Sequence, residues 1–143
     1  MSYTIKEASE RLGCPAHTIR FYEKEGLLPF IKRDQHGNRL FEQDHLDWIR
    51  LMMCFRATGM KISLMKQMVN LALDGDATIP QRKAILNQYK EELFRRQNEL
   101  AEALDAVNNK LAIYEDIEGG RLPSESRLLS QMEDRHNQPI KRE

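Results

Sequence analysis

The chain is 143 residues long, 41% hydrophobic and 31% charged, the size of one ordinary domain or of a small domain with an extension. Its 22 Lys+Arg offset 22 Asp+Glu, which excludes both a polybasic tail protein and an acidic disordered chain. No window approaches a membrane-spanning run and the first residues carry no signal-peptide pattern, so a soluble, cytoplasmic protein with no membrane partner is expected. Cys14 and Cys54 are the only cysteines and provide neither a disulfide framework nor a paired-cysteine metal motif. No metal and no cofactor is expected. The neutral total is a sum of unlike parts: residues 1–66 hold 11 Lys+Arg against 8 Asp+Glu, and residues 67–143 hold 11 against 14.

The first helix is signalled by Thr4-Ile5-Lys6-Glu7, a capping box in which Thr4 and Glu7 satisfy free N–H groups reciprocally. Ile5, Ala8 and Leu12 follow on one apolar face, and Gly13 ends the run. Cys14-Pro15 then makes a tight turn into a second helix, from about Pro15 to Glu25, which stops at Gly26. Ile19 and Tyr22 form its inward stripe, while His17, Arg20, Phe21 and Lys24 line the other side. Two short helices with a basic outer face on the second make a helix-turn-helix. Phe30 to Arg33 and Arg39 to Phe41 flank the turn residues Asp34 to Asn38, which predicts a hairpin carrying Lys32, Arg33 and Arg39. A basic hairpin in this position is a wing able to lie along a DNA backbone.

Residues 43–58 predict a third helix, apolar around most of its circumference from Trp48 to Phe55 and therefore buried on more than one side. Ile62, Met65, Val69 and Leu73 mark a fourth helix, and Gly75 to Thr78 a short link. From about Pro80 the pattern lengthens. Leu86, Leu93, Leu100, Val107 and Tyr114 recur every seven residues, with Gln97, Leu104 and Leu111 widening the stripe. This is a coiled-coil helix of more than four heptads, and it requires a partner, of which a second copy of the chain is the simplest. Gly119-Gly120 breaks it. The expected organisation is a DNA-binding domain over 1–74, a linker over 75–80, a dimerisation helix over 81–118 and a flexible tail over 119–143.

At this point the chain resembles the MerR family of bacterial transcription regulators. The residues that carry the resemblance are Tyr3 to Ala8, Thr18 to Glu23, Gly26 to Pro29 and the wing Gly37 to Phe41, and the match continues through Gly59-Met60 into the coil. One departure is Asn38, where the family more often has Tyr. The resemblance implies an all-α fold, with a winged helix-turn-helix DNA-binding domain followed by a long helix forming an antiparallel coiled-coil dimer. It also implies a mechanism: such dimers sit on promoters with an overlong spacer, and bending and untwisting the DNA presents both promoter elements to RNA polymerase. Trp48-Ile49, Cys54, Gly59-Met60 and Asp76 to Lys83 further resemble a small subgroup responsive to aldehydes and nitric oxide, with a single cysteine in this helix. Metal-sensing members place cysteines at the start of the coil and in a loop after it, and this chain has none there.

Under this resemblance the expected DNA-binding residues are Ala16, His17, Thr18, Arg20, Phe21, Tyr22 and Lys24 on the second helix, Arg33, Asn38 and Arg39 on the wing, and Lys61. Arg20 is the candidate for base edges or a phosphate near the major groove, and His17 and Thr18 lie where base contacts concentrate. Lys24, Arg33, Arg39 and Lys61 are candidates for phosphates. Tyr22 is either a core residue or points its hydroxyl at a phosphate. Cys14 is a small turn residue without a role. Cys54 has two readings: an apolar filler, or a sensor thiol for a small electrophile inducer, with Arg50 one helical turn back to stabilise a thiolate. Met52, Met53, Met60, Met65 and Met68 indicate core packing first and a plastic pocket second. No nucleophile–base pair, phosphate loop or paired acid motif appears, so an enzyme is not expected. The competing class is a coiled-coil adaptor whose N-terminal domain binds protein. A basic helix face together with a basic wing argues against it, since an adaptor needs neither.

Overall fold

The computed structural model describes residues 1–140, so the last three residues of the expected tail lie outside the described residues. The chain divides into two units, residues 1–91 and 92–143. In order, the elements are α1 (Ile5–Leu12), α2 (Ala16–Lys24), β1 (Lys32–Arg33), β2 (Arg39–Leu40), α3 (Gln43–Ala57), α4 (Ile62–Leu73), a 3-10 turn (Asp76–Thr78), α5 (Ile79–Glu118) and α6 (Glu125–His136). The architecture is mostly helical, with one two-stranded antiparallel hairpin in which Lys32 pairs with Leu40 and Arg33 with Arg39.

Local chemistry accounts for the boundaries. The Glu7 N–H donates to Thr4 Oγ1 at 3.1 Å, which is one half of the expected box; the reciprocal bond to Thr4 is absent among the described residues. The full reciprocal box lies instead at the start of α3. There the Glu42 side chain accepts from the His45 N–H, and the Glu42 N–H donates to His45 Nδ1 at 2.9 Å. Gly13, with φ 61, takes the left-handed conformation that closes α1 and turns the chain into α2. The N-terminus is stitched to the wing by a short bridge that periodicity does not announce. Tyr3 and Phe41 exchange backbone hydrogen bonds of 2.6 and 2.8 Å.

The core of the first unit gathers Ala8, Ile19, Tyr22, Leu27, Phe41, Leu46, Ile49, Met52, Met60, Met65 and Val69, all buried. Trp48 Nε1 donates to Leu27 O at 2.9 Å and so ties α3 to the segment leaving α2. The first turns of α5 belong to this unit as well. Tyr89 is buried, meets Phe55 edge-on at 5.9 Å, and its hydroxyl hydrogen-bonds to that of Thr58. Arg82 donates to Thr78 Oγ1 and Gly75 O at 3.0 and 3.2 Å, closing the turn between α4 and α5. The helix therefore begins at Ile79, inside the segment expected as a linker. As for α3, Leu46, Ile49 and Met52 are buried, while Leu51 stays 45% exposed, so its apolar circumference is only partly covered.

In the second unit, the apolar row of α5 lies open: Leu100, Leu104, Val107 and Leu111 are all more than half exposed. Gly120, with φ 74, ends the run after α5. The segment after it departs from the expected flexible tail, because a twelve-residue helix, α6, forms there. Its cause is local. Ser124 caps it by accepting from the Arg127 N–H, and Glu125 in its first turn pairs with Lys110 of α5. Pro123 and Pro139 flank the helix rather than interrupt it.

Candidate nucleic-acid interface

The outer face of α2 and the wing share one side of the first unit. On α2, His17, Arg20, Phe21 and Lys24 are exposed, while Ala16 and Thr18 are half-buried at its first turn. This follows from helical spacing, since Ile19 and Tyr22 take the inward positions. Tyr22 is 5% exposed, so its ring belongs to the core, the first of its two sequence readings. Burial pushes its phenol above the ordinary value, with the neighbouring Cys14 adding to the shift and Arg56 opposing it.

A cleft runs between the start of α1, the middle of α2 and the hairpin. It is lined by Thr4, Lys6, Arg20, Asn38 and Arg39 among others. Lys6 is absent from the sequence-predicted set; its one signal is a lysine in the first turn of a helix, where a cation is disfavoured by the helix dipole. The wing turn is fixed from within. The Asp34 carboxylate accepts the N–H groups of His36 and Asn38 at 2.8 and 2.9 Å, which holds it below the ordinary carboxylate range. Asn38 Nδ2 also reaches Asp34, at 3.4 Å.

The wing arginines, expected as phosphate ligands, both pair with a carboxylate of α2. Arg39 Nε donates to both carboxylate oxygens of Glu23 on α2 at 3.1 Å, and Arg33 Nη2 donates to the same carboxylate at 3.1 Å. Arg33 Nη1 donates to Gly37 O at 2.9 Å. Lys61 is exposed at the N-cap of α4, and Lys66 pairs with Glu25 at 2.5 Å, joining α4 to the end of α2.

The comparisons with known proteins agree with this geometry. Residues 3–71 match the model of the MerR HTH family regulatory proteins. An uncharacterised HTH-type transcriptional regulator of Haemophilus influenzae is 38% identical over 115 residues, which is 80% of this chain and 85% of that one. Among solved structures, HiNmlR, a MerR family regulator lacking the sensor domain and bound to promoter DNA, superposes with a TM-score of 0.76 at 37% identity. That likeness covers 83% of this chain and 94% of HiNmlR. The chain belongs to the MerR family. A second MerR regulator, from Bacillus thuringiensis, gives a TM-score of 0.71 at 30% identity over 80% of this chain and all of that one.

Within this MerR fold the two cysteines lie in opposite environments. Cys14 is buried, and desolvation pushes its thiol up. Cys54 is exposed on α3. Arg50, expected to face that thiol, pairs with Asp47 at 3.7 Å. The neighbouring methionines pack in the core and border a pocket. Met52, Met60 and Met65 are buried, and together with Trp48, Phe55 and Met68 they line an apolar cavity of about 230 Å³ inside the first unit. No helix among the described residues is long and apolar enough to cross a membrane.

Proposed function

We propose that the chain is a homodimeric, DNA-binding transcription regulator that acts by distorting promoter DNA for RNA polymerase. The observation that carries this is the convergence of Lys6 of α1, Arg20 on the exposed face of α2 and Arg39 of the wing around one cleft. A helix presents its N-terminal residues and basic face to the major groove while the hairpin follows the backbone. That HiNmlR, the relative at 37% identity, was solved bound to promoter DNA supports the DNA-binding reading. Residues 1–74 form the reading head in this proposal, and residues 81–118 the dimerising helix, whose open row of Leu100, Leu104, Val107 and Leu111 needs an apolar partner. In this proposal an inducing signal acts on the reading head itself.

Cys54 is the proposed point of entry for that signal. Its exposure makes the thiol accessible to a small electrophile such as an aldehyde or a nitrosating agent. It stands one turn before Thr58, whose hydroxyl donates to Cys54 O at 3.3 Å and bonds Tyr89 of α5. A modified Cys54 therefore acts next to the joint between α3 and α5. The test is in-vitro transcription from the promoter nearest the gene, with aldehydes and nitrosating agents, comparing the native chain with Cys54→Ser. DNA binding should be kept and induction lost. Induction that survives the substitution refutes the sensor role and leaves the DNA-binding role standing. The latter is tested by salt: affinity must fall steeply as salt rises, by about 0.9 log units per log unit for each phosphate engaged.

A further inference from the structure

We propose that Glu23 is a positioning residue for DNA binding: its carboxylate locks the wing to α2 and aims the guanidinium of Arg39 at a backbone phosphate in the cleft beside Arg20 and Lys6. The inference rests on the DNA-binding role above and adds to it a residue whose charge is opposite to that of an ordinary DNA ligand.

The geometry separates the two wing arginines. Arg39 engages both oxygens of Glu23 through Nε alone, and among the described residues Glu23 is its only partner. Its two terminal nitrogens keep their donors, and Arg39 lines the same cleft as Lys6 and Arg20. Arg33 is placed differently, with one terminal nitrogen on Glu23 and the other on Gly37 O. Its forked donors hold the hairpin turn against α2, which leaves it a structural stitch. Burial supports the distinction from an idle surface pair. The side chains of Glu23 and Arg39 are 22% and 23% exposed, whereas Lys32 and Glu42 in the pair at the hairpin base are 71% and 49% exposed. A partly desolvated guanidinium held on one edge by a carboxylate is restricted in direction, and a preoriented fork binds phosphate with less loss of freedom. Asp34 also borders the cleft, but its oxygens accept from His36 and Asn38 and so face the turn.

The sign of the effect gives the test. Removing a carboxylate from a surface that meets a polyanion ordinarily strengthens binding. A positioning carboxylate does the reverse. The probe is a duplex selected by the full native chain from a random-sequence pool, with affinity measured across a salt series and folding checked by thermal melting. Glu23→Gln should weaken binding about tenfold and lower the salt slope by about one phosphate equivalent. Arg39→Lys, which keeps the charge and loses the fork, should show a similar loss. The pair Glu23→Gln with Arg39→Gln should bind no more weakly than Arg39→Gln alone, because one contact is removed by either route. Equal or tighter binding by Glu23→Gln, native-like binding by Arg39→Lys, or additive losses in the pair would each overturn the inference. A native chain that retains no duplex overturns the DNA-binding role, and the inference with it.

Discussion

A thiol reacts as its thiolate, so a cysteine's surroundings decide its chemistry before any partner arrives. Burial raises the Cys14 thiol above its ordinary value of 9.0, which keeps it protonated at neutral pH, and Cys54 stands exposed on the side of α3. Alkylation with iodoacetamide near neutral pH should therefore label Cys54 at least about tenfold faster than Cys14, as read by mass spectrometry of the folded chain. Cys14 should react at a comparable rate only after denaturation. Equal labelling in the native state would contradict this placement. Both thiols are equally visible in the sequence, since each sits among small or apolar neighbours; accessibility is decided by which helical face turns inward. Glu23 was hidden for a related reason. Its partners lie 10 and 16 residues away, on a hairpin whose docking angle no periodicity encodes.

At the scale of elements, capping residues and left-handed glycines made the order of helices legible from α1 to the coil, and the basic hairpin was legible from its turn residues. What escaped was α6. Its composition is polar, and side chains of the preceding helix clamp its first turn. Glu125 accepts from Lys110 and from the Tyr114 hydroxyl, and the Lys110 ammonium lies 5.1 Å from the Tyr114 ring centre. The clamp has a pH window whose sign follows from the shifts. Hydrogen bonds from Lys110 and Tyr114 lower Glu125, so its contribution is complete above the ordinary 4.5 and is lost as pH falls through the lowered value. The bond to Glu125 raises Lys110 above 10.5 and Tyr114 above 10.0, so their contribution is complete below those values and is lost as pH rises through the raised ones. Amide exchange in α6 should accordingly be slowest, relative to intrinsic rates, across the neutral range. Glu125→Gln should remove the acid-side loss of protection. A flat pH profile in the native chain would show that the clamp does not hold the helix.

For the whole molecule, the decisive quantity is uncovered apolar surface on α5. A seam of Leu100, Leu104, Val107 and Leu111 exposed along a forty-residue helix is unfavourable in water, and the proposed pairing with a second copy would cover it. Leu104→Glu places a charge in that seam and should weaken self-association by about a hundredfold or more, measured by sedimentation, while the first unit keeps its fold. An unchanged association state would mean that the seam serves another partner. The heptads made this surface readable, because a repeat of seven has few other causes. The neutral total charge was less informative than its distribution, in which the basic excess lies in the reading head.

The bridge between Tyr3 and Phe41 places the chain's first residues against the wing, and Thr4 and Lys6 border the cleft proposed to meet DNA. Anything attached ahead of Met1 is therefore held beside that surface. An affinity tag or fusion partner at the amino end would crowd the DNA face, and a polyhistidine tag would add its own cationic pull on the nucleic acid. Material meant for binding measurements is better handled from the carboxyl end or with the leader cleaved.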